Sequence, residues 1–359
     1  METKISYNWK LSEAEFSKNK GKVFSCFACG GGSTMGYKLA GFDVIGCNEI
    51  DKKIMACYLK NHNPKYYFLE DIKIFKDRDD LPEELYNLDI LDGSPPCSSF
   101  SMVGNRKDDW GKEKRFREGQ CKQVLDTLFF DFIDLAKKLQ PKIIIAENVK
   151  GILLGEAIKY SQKIIKSFEN SGYEVEHFII NASDTGVPQR RERVFFIAIR
   201  KDLVDKIDID KINLLSKFPN LKLNFNEKQI LFKDIKTDKA ENLITGTKEL
   251  ELWNNRQESD NSLADSNFRL YGKITSWFSH SFIKDNAVCQ TIVANDNNIL
   301  YSHPRSLNKE EICLIGSFPL DYDFLNNNPK YIIGMSVPPI MMYKIAIELY
   351  NQILIKLNK

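Results

Sequence analysis

The run Lys142-Ile143-Ile144-Ile145-Ala146 has no polar alternation after its lysine. A strand of that kind has no face to turn to water, so it must be covered on both sides. Similar apolar runs recur at Val23-Phe24-Ser25-Cys26-Phe27, Phe42-Asp43-Val44-Ile45-Gly46 and Arg193-Val194-Phe195-Phe196-Ile197-Ala198-Ile199, with shorter strand-like stretches at 88–92 and 173–180. Stretches with helical spacing separate them, at about 52–61, 129–139 and 156–170. Alternating strands and helices from about residue 22 to 200 predict an α/β domain built on a parallel sheet covered on both faces.

The texture changes after Arg200. Residues 201–300 carry 14 Lys+Arg against 15 Asp+Glu, a net −1, with scattered Asn and no βαβ rhythm. A last helix over about 339–357 has the apolar spacing to pack back on the sheet. These shifts divide the chain into a main domain at 1–200, a smaller irregular domain at 201–322 and a segment at 323–359 that returns to the main domain.

Bulk properties exclude little. Formal net charge is +2, which argues neither for nor against nucleic acid. No run approaches the roughly 18 apolar residues of a membrane span, and Met1-Glu2-Thr3-Lys4 lacks the apolar stretch of a signal peptide. The eight cysteines (26, 29, 47, 57, 97, 121, 289, 313) sit mostly in apolar runs without a disulfide framework, as expected for reduced thiols in a cytoplasmic protein. Cys26-Phe27-Ala28-Cys29 has no second ligand pair at zinc spacing, so no metal is expected.

Chemistry gathers where strands end. Gly93-Ser94-Pro95-Pro96-Cys97 follows the apolar strand at 88–92, and two successive prolines cannot continue a sheet ladder. A stiff turn there projects Cys97 from the carboxyl end of the strand, where open α/β sheets keep their ligands. The alternative, a buried core thiol, sits poorly with the polar Ser98-Ser99 that follows. Cys29-Gly30-Gly31-Gly32-Ser33-Thr34-Met35-Gly36 opens the first helix, and its glycines let a cofactor approach the backbone. Glu49 ends the second strand, where a carboxylate accepts from ribose hydroxyls, and Asp71 stands where a third would end, suited to an adenine amine. Glu147-Asn148-Val149 caps the strand at 142–146, and partial desolvation there suits a proton donor as well as an ion pair. In Gln189-Arg190-Arg191-Glu192-Arg193, alternation puts Arg191 and Arg193 on one side, either in one site or as a salt-bridged strand start.

In this order the segments resemble the DNA (cytosine-5) methyltransferase family, over about 22–200 and 287–340. The cofactor motif, usually Asp-Leu-Phe-Ala/Ser-Gly-x-Gly-Gly, looks like Ser25-Cys26-Phe27-Ala28-Cys29-Gly30-Gly31-Gly32. Gly-Pro-Pro-Cys resembles Ser94-Pro95-Pro96-Cys97, Glu-Asn-Val resembles Glu147-Asn148-Val149, and Gln-x-Arg-x-Arg resembles Gln189, Arg191 and Arg193. Leu307 to Glu311 with Gly316-Ser317-Phe318-Pro319 is similar to the ninth motif, and Gly334-Met335-Ser336-Val337-Pro338-Pro339 to the tenth. The chain departs from the usual residues at Ser25 (Asp), Cys29 (Gly), Ser98 (Gln), Leu314 (Arg) and Met335 (Asn).

The resemblance implies a Rossmann-like S-adenosylmethionine-dependent domain with a target-recognition domain at 201–322. It implies Cys97 as nucleophile at C6 of a flipped-out cytosine, Glu147 at N3 and the exocyclic amine, Arg193 at O2, and Arg191 supporting the loop and phosphate. It implies cofactor contacts from Phe27, Ala28, Gly30, Gly31, Gly32, Glu49, Ile50, Asp71, Ile72, Pro96, Leu128, Ser336 and Val337. Double-stranded DNA would be the partner, with no membrane, a monomer, and a cognate restriction endonuclease left open. From Gly104 to Gln120, six Lys/Arg stand against four Asp/Glu with Trp110 and Phe116 between them, which reads as a DNA-facing flap or as a surface loop. Residues 271–278 and 289–293 are the most recognition-like part of the smaller domain. Two alternatives remain: the tRNA-methylating branch, whose usual Cys-Phe-Thr element is missing from 201–300, and an inactive DNA-binding paralogue, which intact Cys97, Glu147 and Arg193 oppose. A nicotinamide dehydrogenase finds no pyrophosphate site beyond the glycines.

Overall fold

The computed structural model describes residues 5–96, 113–114, 123–124, 127–207, 218–239, 243–272, 277–293 and 297–357. Cys97, Ser98, most of the 104–120 segment and residues 273–276 lie outside the described residues.

Seven strands make the central sheet: β1 (Lys22–Cys26), β2 (Asp43–Glu49), β3 (Tyr66–Leu69), β4 (Ile90–Gly93), β5 (Ile143–Val149), β6 (Tyr173–Asn181) and β7 (Glu192–Arg200). They lie in the order β3-β2-β1-β4-β5-β7-β6. Strands β1 to β5 pair in parallel, but β7 runs antiparallel to both β5 and β6. The expectation of a wholly parallel sheet is corrected here. The link from β6 to β7 spans only residues 182–191 and a short 3₁₀ turn, Ala182–Thr185, too little chain for a crossover helix.

Strand alternation sends Val23, Ile90, Ile143, Ile145, Phe195 and Ile197 to one face and Phe24, Leu91, Ile144, Ala146, Val194 and Phe196 to the other. Helix α1 (Gly32–Leu39) follows β1, α2 (Lys52–His62) follows β2 and α3 (Ile72–Asp77) follows β3. The second face is covered by α4 (Leu128–Leu139) and α5 (Ile158–Asn170).

In the smaller region, Phe218, Leu221, Phe232 and Leu300 join the core of the first face. A separate cluster of Ile244, Leu252, Leu263, Phe282 and Ile299 is built around α6 (Thr247–Asn254) and α7 (Leu263–Tyr271). Cys289-Gln290 pairs in parallel with Gln189-Arg190, tying a recognition-like stretch to the arginine segment. Helix α8 (Lys309–Ile315) is capped by Asn308, whose side chain accepts from Glu311 N, while the buried Glu311 pairs with Arg305 at 2.7 Å.

Helices α9 (Pro329–Met335) and α10 (Pro339–Leu349) return to the first face. A Cβ on Gly36 would stand 2.5 Å from Met342 Cβ, so α1 and α10 meet at a distance only glycine allows. By length and composition the helical stretch Pro329–Leu357 is apolar enough to cross a membrane, yet 72% of its most apolar window is buried within the fold, as in a core helix.

Candidate active site

Sheet order reverses between β1 and β4, and in open α/β sheets the crevice at such a point takes the ligand. A cleft opens there. Its walls are Phe27 and Cys29 after β1, Asn48, Glu49 and Ile50 at the end of β2, Ile54 in α2, Glu70 and Ile72 after β3, Ser94 and Pro96 after β4, and Tyr331 and Met335 of α9.

The turn after β1 is tightly wound. Phe27 (φ 53°), Cys29 (φ 46°) and Gly31 (φ 74°) all take left-handed backbone, which costs nothing only at the glycine. A Cβ on Gly31 would stand 2.2 Å from His62 Nε2, and one on Gly32 would stand 2.0 Å from the Val337 carbonyl oxygen. The glycines therefore let α1 begin in a slot between α2 and the 336–337 segment. The Gly30 carbonyl accepts from Tyr322 OH at 2.7 Å and lies 3.2 Å from His62 Nε2.

Glu49 organises the cleft floor. Its Oε1 accepts from the Ile50 and Asp51 amides and its Oε2 from the Cys29 amide, all at 2.9–3.0 Å. Burial raises its pKa, and these amide bonds oppose the rise. Desolvation first, and then Glu49, push the half-buried Cys29 thiol up to about 12, so it is no nucleophile near neutrality.

Of the residues assigned to the cofactor from sequence, Phe27, Glu49, Ile50, Ile72 and Pro96 line the cleft. Ala28, Gly30, Gly31 and Gly32 shape the turn behind it. Asp71 accepts from Lys73 N and caps α3, while its neighbour Glu70 takes the place on the wall and pairs with Arg78 at 3.2 Å. Leu128 is fully buried in the second-face core. Ser336 donates to Ile332 O, and Val337 packs in the first-face core.

Asn48, Ile54, Glu70, Ser94 and Tyr331 join the wall without having been assigned to the cofactor from sequence, as do Cys29 of the glycine-rich turn and Met335 of the tenth-motif segment. Position at the end of β2 marked Asn48. Nothing local marked Tyr331, which arrives from some 300 residues away along the chain.

Next to the cleft, Glu147 ends β5 and Arg193 begins β7, with Arg193 Nε 2.9 Å from Glu147 Oε1. Both are largely buried, and Glu147 sits on the same sheet face as Ile143 and Ile145. Burial lowers the Arg193 pKa, and Glu147 opposes that. Arg191 is 3% exposed and donates to Gly334 O at 3.0 Å, while its Nε finds no partner among the described residues. Burial and Arg193 pull it down to about 9, so it still carries its charge at neutral pH. Asn148 Nδ2 donates to Pro95 O at 3.1 Å, so the end of β5 holds the proline turn that leads to Cys97.

The chain matches known proteins over most of its length. The family model for C-5 cytosine-specific DNA methylase matches residues 21–351. A type II methyltransferase of Neisseria gonorrhoeae, M.NgoPII, is 32% identical over 91% of this chain and 95% of its own length. M.FnuDI of Fusobacterium nucleatum is 40% identical over 51% of this chain and 48% of its own. Among solved structures, a DNA modification methyltransferase encoded within an E. coli prophage superposes with a TM-score of 0.62 over 92% of this chain and 99% of its own, at 23% identity, a likeness of fold.

Proposed function

Since the chain belongs to the C-5 cytosine-specific DNA methylase family, we propose that it methylates C5 of a cytosine flipped out of duplex DNA, with Cys97 as nucleophile and S-adenosylmethionine seated in the β1–β4 cleft. The observation that carries this reading is the convergence of three elements: the cleft, the Asn148-held proline turn and the buried Glu147–Arg193 pair.

The cleft suits an adenosyl cofactor by its donor set. Phe27, Ile50, Ile54 and Ile72 offer apolar surface to a purine, and Glu49 and Glu70 offer acceptors to hydroxyl and amino groups. Glu49 Oε2 accepts only one amide, so a carboxylate lone pair remains for a ribose hydroxyl. The cofactor's contribution is an electrophilic methyl group. Everything else is asked of the chain.

Cytosine C5 is too electron-poor to attack a methyl group unaided, and addition of the Cys97 thiolate to C6 makes it enamine-like. Glu147 donates a proton toward N3 and accepts from the exocyclic amine, so that charge does not build on the ring. Arg193 holds O2 and fixes the Glu147 carboxyl, while Arg191, tethered to Gly334, supports the neighbouring segment. After transfer a base removes the C5 proton, and the electron pair of that bond expels the thiolate from C6.

A base inside a duplex is out of reach, and extruding it costs a few kcal/mol. Residues 201–322, with their own apolar cluster around α6 and α7, are assigned the reading of DNA sequence. A modification role in the cytoplasm as a monomer, either opposite a restriction endonuclease of the same site or as an orphan enzyme, completes the proposal.

The test is covalent trapping on 5-fluorocytosine duplex DNA with S-adenosylmethionine, alongside labelled methyl transfer to duplex DNA and to tRNA. A denaturation-resistant complex that Cys97→Ser abolishes is expected. Label entering only tRNA, or no trapped complex, would sink the reading.

A further inference from the structure

Asp92 is the last acid of β4 before the proline turn, and it is 2% exposed. In the sheet register it lies beside Ser25 of β1 on one side and Ile145 of β5 on the other. Alternation places Ser25, Asp92 and Glu147 on one face, the face that α1 covers. This polar row runs from the strand before the cofactor turn to the strand that carries Glu147.

No lysine, arginine or histidine pairs with Asp92 among the described residues. Hydroxyls surround it instead. Ser25 Oγ donates to Oδ2 at 2.8 Å and Tyr37 OH to Oδ1 at 3.1 Å, with Ser33 as a further donor. A buried carboxyl without a cation is tolerated only when hydrogen-bonded, so these hydroxyls are what holds Asp92 at the head of the proline turn. Its three partners belong to the two elements that hold the cofactor turn, β1 and the start of α1. The chain also has Ser25 where the family's first motif usually has Asp, so the acid stands one strand over, across the β1–β4 register.

We propose that Asp92 is a positioning residue for methyl transfer: its carboxyl clamps β1 and the first turns of α1 to β4, setting where the bound methyl donor stands relative to the Pro95-Pro96-Cys97 turn. The inference rests on the reading that the cleft binds S-adenosylmethionine. Burial, with Glu147 adding to it, raises the Asp92 pKa to about 7, so the clamp changes charge near neutral pH. The groups facing it are Ser25 of β1, Ser33 and Tyr37 of α1, Tyr58 of α2 and Glu147 of β5, while Cys26 of β1 lies on the opposite face of the sheet; none is a cation. Ionising the carboxyl puts a negative charge behind the turn flanked by Ser25 and Ser33, which would favour a cationic sulfonium ligand, so cofactor binding is expected to release a proton and to tighten as pH rises through 7.

The experiment uses the full chain with Asp92→Asn, Tyr37→Phe and Ser25→Ala. Calorimetric affinity for S-adenosylmethionine is measured from pH 6 to 8, with steady-state kinetics on duplex DNA and thermal melts. Wild type is expected to gain about threefold or more in affinity over that range, and Asp92→Asn to lose most of this gain while the KM for DNA stays within about twofold. Glu49 also titrates upward, so the difference between the two profiles is the readout. Tyr37→Phe and Ser25→Ala each remove one arm of the clamp and should weaken cofactor affinity several-fold. Variants that melt lower yet bind the cofactor like wild type at every pH would reduce Asp92 to a structural role and overturn the proposal. A wild type that binds no S-adenosylmethionine would instead overturn the reading of the cleft.

Discussion

Arg193 Nε meets Glu147 Oε1 at 2.9 Å because β7 runs against β5. The reversed strand brings its first residues to the carboxyl end of β5, where a parallel strand would bring its last. The one strand that breaks the parallel rule therefore delivers the arginine to the site. Asn148, next to Glu147, reaches the other way and holds Pro95. One strand end thus fixes both Glu147 and the Pro95-Pro96 turn.

Breaking this pair separates chemistry from stability. Glu147→Gln keeps shape and hydrogen bonding but removes the transferable proton, so single-turnover methylation should fall about 10²–10⁴-fold with S-adenosylmethionine affinity little changed. Arg193→Ala leaves the buried Glu147 without its cation and should cost about 3–5 kcal/mol in urea unfolding at neutral pH. Equal rates for Glu147→Gln and wild type would remove Glu147 from the reaction.

Gly32→Ala tests the slot at the start of α1. The added Cβ would stand 2.0 Å from the Val337 carbonyl oxygen and 2.9 Å from Ser336 Cβ, so α1 and the 336–337 segment must move apart. Overpacking of this kind costs about 1–3 kcal/mol. Because that segment follows the wall residues Tyr331 and Met335, calorimetry should also show weaker cofactor binding. An unchanged melting temperature would mean that the slot is softer than its packing indicates.

Much of this site was legible in the sequence, for identifiable reasons. Glu49, Glu147 and the proline turn all sit where an apolar run stops, and hydrophobic patterning marks that point well. The reversal of β7 was not legible, since a buried strand shows the same apolar run in either direction. Glu70 lines the cleft beside Asp71, whose Oδ1 caps α3, an arrangement set by one residue of helix register. Tyr331 and Met335 reach the cleft only through the return of α9, a long-range contact with no local signal.

Cys29 holds a left-handed backbone, φ 46°, in a turn where the family's motif usually has glycine. A non-glycine residue there is strained by about 1–2 kcal/mol, partly offset because glycine gives more freedom to the unfolded chain. Cys29→Gly should therefore raise stability by up to about 1 kcal/mol, read as a small rise in melting temperature. Loss of stability would show that the thiol's contacts outweigh the strain.

His62 is expected to make the turn after β1 sensitive to acid. It is buried against Tyr58, its Nε2 lies 3.2 Å from Gly30 O, and its Nδ1 has no partner among the described residues. Burial first, and then Lys38, pull its pKa down to about 3, so the folded protein keeps it neutral. Unfolded, it would protonate near 6.5. Between about 3 and 6.5 the unfolded chain thus binds a proton that the folded chain refuses. Stability from this group is fully present above 6.5 and drains as pH falls, by up to about 1.4 kcal/mol per pH unit. His62→Gln keeps a donor for Gly30 O and removes the titration. Urea unfolding at pH 7, 6 and 5 should show wild type losing stability more steeply than the variant, with the two curves converging toward acid. Parallel curves would mean that His62 is protonated at little cost and that the turn takes its acid sensitivity from elsewhere.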